Sequence, residues 1–134
     1  MNAIPVSLLD AICRADLPTF LARAMMTLEP GTHYEENWHI LALAYQLELV
    51  REGETRRLMI NLPPRSMKTV LVSIAFAAWI LGHDPTMRIL CITYSRELAK
   101  TQAGLFRRLV ESDWYRRVFP ACRPQKRSAR TRRH

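Results

Sequence analysis

Twelve consecutive residues, Val70 to Leu81, carry no charge and a single polar side chain, Ser73. A helix made from them shows apolar surface in every direction, so it must be packed on both sides. The run is well short of the roughly 20 residues that a membrane crossing needs. Its burial must therefore come from the rest of the chain. The spacing predicts a helix from Lys68 to Leu81, with Gly82, His83, Asp84 and Pro85 forming the turn that follows. The chain has 134 residues, 49% hydrophobic and 24% charged, which is enough for one small core and excludes wholesale disorder.

Two short apolar runs flank this helix. Arg57-Leu58-Met59-Ile60-Asn61-Leu62 is closed by Pro63-Pro64, which can continue neither a helix nor a central ladder, and reads as a buried strand. Arg88 to Thr93 reads as a second strand without polar alternation, the pattern of a parallel sheet covered on both faces. Ser95 can cap a helix from Arg96 to Glu111 that turns Leu98, Leu105, Phe106, Leu109 and Val110 inward. The order strand, loop, helix, strand, helix is that of a βαβ unit with a right-handed crossover, so the expected fold class is α/β.

Helices are expected ahead of this unit. Ser7 can cap Leu8 to Arg14, and Asp16 a second helix running through Phe20, Leu21, Ala24 and Met25 to a stop at Glu29-Pro30-Gly31. Asn37 can cap Trp38 to Arg51, where Trp38, Leu41, Ala42, Tyr45 and Leu49 fall at helical spacing before Gly53 ends it. The chain thus divides into a helical segment over 1–55, an α/β core over 56–120 and a basic tail over 121–134.

The formal charge of +8 is concentrated in that tail: Arg123, Lys126, Arg127, Arg130, Arg132 and Arg133 leave residues 1–122 at +2. The basicity describes the tail more than the body, and the tail has too few apolar residues to bury backbone, so it is expected to be disordered. Cys13, Cys91 and Cys122 are far apart and odd in number, which suggests neither a disulfide framework nor a zinc site and fits a reducing cytosol. The N-terminus lacks a basic n-region, and Asp10 and Arg14 interrupt its apolar stretch, so it does not read as a secretion signal.

The segment with the most chemistry is Pro63-Pro64-Arg65-Ser66-Met67-Lys68-Thr69, between the first predicted strand and the apolar helix. A helix start leaves backbone N–H groups unpaired and carries partial positive charge, which favours phosphate. Lys68 would add a full charge at the β and γ phosphates, and Thr69 a hydroxyl for Mg²⁺, as in the last two positions of G-x-x-x-x-G-K-[ST]. Leu62 and Met67 stand where that motif has its glycines, and the two prolines donate no N–H, so the backbone donors must come from residues 65 to 69. Arg65 can place a forked guanidinium near the phosphates or simply lie at the surface of a prolyl turn.

Trp38-His39, Arg57 to Thr69, Ala78-Trp79-Ile80-Leu81-Gly82, Thr93-Tyr94-Ser95 and Trp114-Tyr115-Arg116-Arg117-Val118-Phe119-Pro120, in that order, resemble the N-terminal ATPase region of tailed-phage terminase large subunits. The resemblance runs from about Phe20 to Pro120 and covers roughly the first quarter of such a protein. It implies part of a RecA-like P-loop NTPase sheet with preceding helices, ATP and Mg²⁺ as ligands, and a place in the bacterial host cytoplasm. Double-stranded DNA, a terminase small subunit and a portal are the implied partners, with no membrane. By the same resemblance Arg65, Ser66, Met67, Lys68 and Thr69 form the phosphate loop, Thr69 serves Mg²⁺ through the nucleotide, and Trp38 with His39 flanks the adenine. Tyr94 and Ser95 correspond to a coupling motif. Trp38 also reads as a core residue on an apolar helix face, His39 as a capping or surface histidine, and Ser95 as a plain helix cap.

The family's hydrolysis needs a carboxylate at the tip of another apolar strand. After Thr69 the acids are Asp84, Glu97, Glu111 and Asp113, none of which follows such a run. The likeness stops at Phe119-Pro120, which leads to the expectation of a truncated product, without the Walker B and nuclease parts, that holds ATP but neither hydrolyses it efficiently nor cuts DNA. The competing expectation is a non-enzymatic nucleic-acid binder acting through its arginine-rich tail. A complete small P-loop kinase or NTPase ranks last.

Overall fold

The computed structural model describes residues 4–31, 34–35, 38–62 and 69–122. In chain order the elements are α1 (Val6–Ala15), α2 (Leu17–Leu28), α3 (Trp38–Arg51), a π-helical stretch π1 (Val70–Phe76) continuing into α4 (Ala77–His83), α5 (Arg96–Val110) and α6 (Asp113–Val118).

Every element among the described residues is helical, and this corrects the expected α/β class: no parallel sheet, and so no βαβ crossover, is present there. Residues 57–62 and 88–93 carry no regular secondary structure and belong to no ladder among the described residues. The physical reason lies in what defines a strand. A helix satisfies its own backbone, whereas an extended segment becomes a strand only when another one meets its N–H and C=O groups. Here 57–62 lies along α3, and 88–93 lies against π1, α4 and α5, so side-chain burial on one face is met by helices. The strands expected over 57–62 and 88–93, the first of them buried, are therefore not formed among the described residues, and most residues of both segments are exposed.

The helices start and stop for local reasons. Asp16 caps α2 through Oδ2, accepting from the Thr19 N–H at 3.1 Å, with Pro18 in the first turn. Gly53, at φ +80°, closes α3 in a conformation that other residues rarely adopt. Ser95 Oγ accepts from the Leu98 N–H at 3.4 Å at the start of α5. α1 begins at Val6, so Ser7 lies inside it rather than capping it. The proposed cap Asn37 and the basic stretch 123–134 lie outside the described residues.

α1 packs on α2 and α6, and α2 packs on α3, π1 and α5. The centre is aromatic. Phe20, Trp79, Tyr115 and Phe119 are all buried, and the Phe20 ring meets those of Trp114, Tyr115 and Phe119 edge-on at 5.4–6.1 Å. Their polar ends are satisfied: Trp79 Nε1 donates to the Cys13 carbonyl at 3.2 Å, and the Tyr115 hydroxyl to the Ala78 carbonyl at 2.6 Å. Asp10 ties α1 to α2 and α6 by accepting from Arg23 at 2.7 Å and Arg117 at 3.0 Å. Desolvation works against its charge, but those two guanidinium hydrogen bonds prevail and hold the carboxyl below its ordinary range. The stretch Trp114 to Phe119, singled out in the sequence for its resemblance alone, is thus the clamp that joins α1, α2 and α4. Residues from 1–55 and 56–120 contribute to one continuous core.

Candidate functional site

α3 determines what surrounds the candidate site, and it is turned differently from the expected orientation. Its buried residues are Leu43, Ala44 and Leu47, whereas Trp38, Leu41 and Tyr45, read as core-facing, are 70%, 47% and 61% exposed. The helix is apolar on two faces, so spacing alone does not select the inner one. Trp38 is therefore not a core residue. Its indole stacks on the His39 imidazole, with centroids 3.7 Å apart and planes at 30°.

Residues 58–62 run beside this pair. Together with Trp38, His39, Leu43 and Gln46 they line an open cleft of about 330 Å³. Two parts of the proposed site that are widely separated in sequence, the aromatic pair and the segment leading into Pro63, are brought together here. Of the phosphate loop itself, Arg65, Ser66, Met67 and Lys68 lie outside the described residues, as do Pro63 and Pro64.

Thr69 is described. It is exposed, has helical dihedrals (φ −64°, ψ −46°) and stands at the start of the helix that continues through π1 and α4. Its side chain makes no capping hydrogen bond to the turn that follows. The predicted start at Lys68 lies outside the described residues; from Thr69 the helix runs on through Gly82 and His83, and its first half is π-helical, with wider turns closed between residues i and i+5. Sequence periodicity did not signal that widening, because a run apolar on all sides looks the same at any helical pitch.

Among the acids, Asp84 lies at the other end of this helix, about 20 Å from Thr69 by helical rise. It accepts from the Thr86 N–H at 3.0 Å and from the Thr86 hydroxyl at 2.5 Å, and those bonds hold its carboxyl below the ordinary value. Asp10 is engaged with two arginines and Asp16 with the α2 cap. Glu97 and Asp113 sit in the first turns of α5 and α6, where a carboxylate favours the helix dipole. Among the described residues no group of three His, Cys, Asp or Glu side chains could hold a metal ion.

A second cavity, about 450 Å³, opens between π1, α4, α5 and the segment 88–93, with Ser73, Leu81, Ile89, Cys91, Phe106 and Val110 in its wall. Cys91 approaches the Ser73 carbonyl at 3.8 Å from this side. Tyr94 points away and is 96% exposed. Among the described residues no helix is long and apolar enough to cross a membrane. Comparison of the chain with protein-family models, with curated proteins and with solved structures finds no match.

Proposed function

We propose that the chain is a nucleotide-binding piece of a tailed-phage terminase large subunit, which holds the phosphates of Mg²⁺–ATP at Arg65 to Thr69 and the base beside Trp38 and His39. The observation that carries this reading is the cleft in which Trp38 and His39 line the same wall as residues 58–62, immediately ahead of the loop that ends at Thr69. An exposed, stacked indole offers a face to a purine. Lys68 would neutralise β- and γ-phosphate charge, and the helix start at Thr69 would supply backbone donors.

Thr69 fits the proposed ligand in one respect: its hydroxyl, which makes no capping bond, suits a cation that phosphates already hold, since one neutral oxygen is too weak a donor set to retain free Mg²⁺. When bound, Mg²⁺ would neutralise phosphate charge. The acids placed above are engaged elsewhere or far from Thr69, so the reading is one of binding rather than turnover. DNA, a small subunit and a portal enter as partners by the resemblance alone.

Titration of a fluorescent ATP analogue tests it. Saturable binding competed by Mg²⁺–ATP, weakened about tenfold or more in Lys68→Ala by loss of a charge-assisted contact, is the expected result. Binding unchanged by Lys68→Ala, or no binding, would overturn it. A second reading has its own observation: six of the chain's bases lie within residues 123–134. A tail that neutralises up to six phosphates gives duplex-DNA affinity falling with salt at a log–log slope of up to about 5. Deleting residues 123–134 should abolish that affinity and leave nucleotide binding intact.

A further inference from the structure

The cavity of about 450 Å³ between π1, α4, α5 and residues 88–93 shares no residue with the cleft at Trp38 and His39, and the nucleotide reading makes no use of it. Its volume falls within the range of about 300–1,000 Å³ in which small molecules are held. One face of α5 forms a long side of it. Ala99, Gln102, Ala103, Phe106, Arg107 and Val110 follow one another at helical spacing, and all six line the cavity. The two alanines leave the room, because nothing larger than a methyl group stands there. Leu81 and Ile89 close the wall opposite with further apolar surface.

Two features of this wall define what it can hold. Arg107 lies in it and pairs with no carboxylate among the described residues, and no Asp or Glu lines the cavity. α5 as a whole carries four bases, Arg96, Lys100, Arg107 and Arg108, against the one acid Glu97, so the surface around the opening favours an anion. We propose that the cavity binds an amphipathic carboxylate of the medium-chain fatty-acid class. Its hydrocarbon would replace water against Leu81, Ile89, Phe106 and Val110, and its carboxylate would take a forked, charge-assisted pair of hydrogen bonds from the Arg107 guanidinium. The Gln102 amide, half-buried one turn away on the same face, supplies a further donor. A cationic amphiphile finds no counter-charge in the wall, and a neutral one leaves Arg107 without a partner. A polyphosphate would bring several charges to a single guanidinium and set them beside apolar walls. The charge and the apolar area together therefore select a monoanion with a hydrocarbon body.

Calorimetric titration of the full chain with sodium decanoate, kept below its micellar concentration, reads the binding, and native Cys91 reports its place. Cys91 lines the cavity and is exposed, whereas Cys13 is buried and Cys122 half-buried. Alkylation of Cys91 by N-ethylmaleimide, located by mass spectrometry, should slow as decanoate saturates the protein. Decanoate should bind about tenfold or more tightly than decyltrimethylammonium, a ligand with the same chain and the opposite charge. Arg107→Gln, at an exposed position, should weaken decanoate about tenfold and leave decanol unchanged. Ala103→Phe, which sets a ring in the cavity from an exposed position of α5, should weaken both. No saturable binding, binding that leaves Cys91 alkylation unchanged, no preference between the two charged ligands, or indifference to either substitution in a variant with native circular dichroism would each overturn the proposal. Since the comparison of ligands needs no variant, it stands even where a substitution perturbs the fold.

Discussion

The aromatic centre and the segments 57–62 and 88–93 are both apolar in sequence, yet they are treated in opposite ways. Phe20, Trp79, Tyr115 and Phe119 are at most 1% exposed, with ring edges and polar tips accounted for. Met59, Leu90 and Ile92, in those segments, are 83–84% exposed. Apolar content is therefore not what separates them. A helix brings its own hydrogen bonds to the core and needs only side-chain contacts, so short pieces such as α4 and α6 can close around Phe20. An extended segment needs a neighbouring backbone as well, and hydrophobicity alone does not supply one.

The largest expected effect lies at the centre. Phe20→Ala removes a ring that meets three others and should destabilise the chain by about 3–5 kcal/mol, read by urea or thermal unfolding. A loss below 1 kcal/mol would make the centre as tolerant as the periphery and erase the contrast. Gly82→Ala comes next. A Cβ at Gly82 would run into the Phe119 ring, and that ring is packed on all sides, so the substitution should cost about 1–3 kcal/mol.

The pH dependence of stability probes the same region more gently. Burial is the main cause that pushes the His83 pKa below its ordinary 6.5, and the Arg51 charge adds to it, as does Arg14. A hydrogen bond to the Arg14 backbone acts in the opposite direction. Its Nε2 is buried without a partner among the described residues, and its ring lies against Trp79 and Phe119. The folded state thus prefers neutral His83, while the unfolded chain takes up the proton near 6.5. Stability is complete above that value, falls as the pH drops through it towards the depressed folded value, and levels off below. His83→Gln should flatten this part of the profile. An unchanged slope would place the titration elsewhere. The smallest effect is expected at the periphery: in dilute protein Ile92→Ser should change stability by no more than about 0.5 kcal/mol.

The sequence carried the helices well. The Asp16 and Ser95 caps rest on side chains that act within three residues of themselves, and both are observed, as is the end of α3 ahead of Gly53. It carried the sheet poorly, because whether 57–62 and 88–93 pair depends on backbone that neither segment contains. The inward face of α3 was also illegible, since Trp38, Leu41 and Tyr45 are as apolar as Leu43, Ala44 and Leu47. That error hid a feature relevant to the site: the exposed Trp38–His39 stack beside residues 58–62 was legible as a motif but not as a surface. The role of Trp114 to Phe119 was invisible for the converse reason. Its partners Phe20, Ala78 and Asp10 are far away in the chain, and no local spacing announces them.

Native-state hydrogen exchange of the dilute chain sets the two regions side by side in one experiment. Amides of α2 and α4 should exchange only through global opening, while those of residues 88–93 exchange within a small factor of an unfolded peptide. Strong protection throughout 57–62 and 88–93 under those conditions would mean that the two segments are paired after all, and would contradict a helical core with unpaired flanking segments.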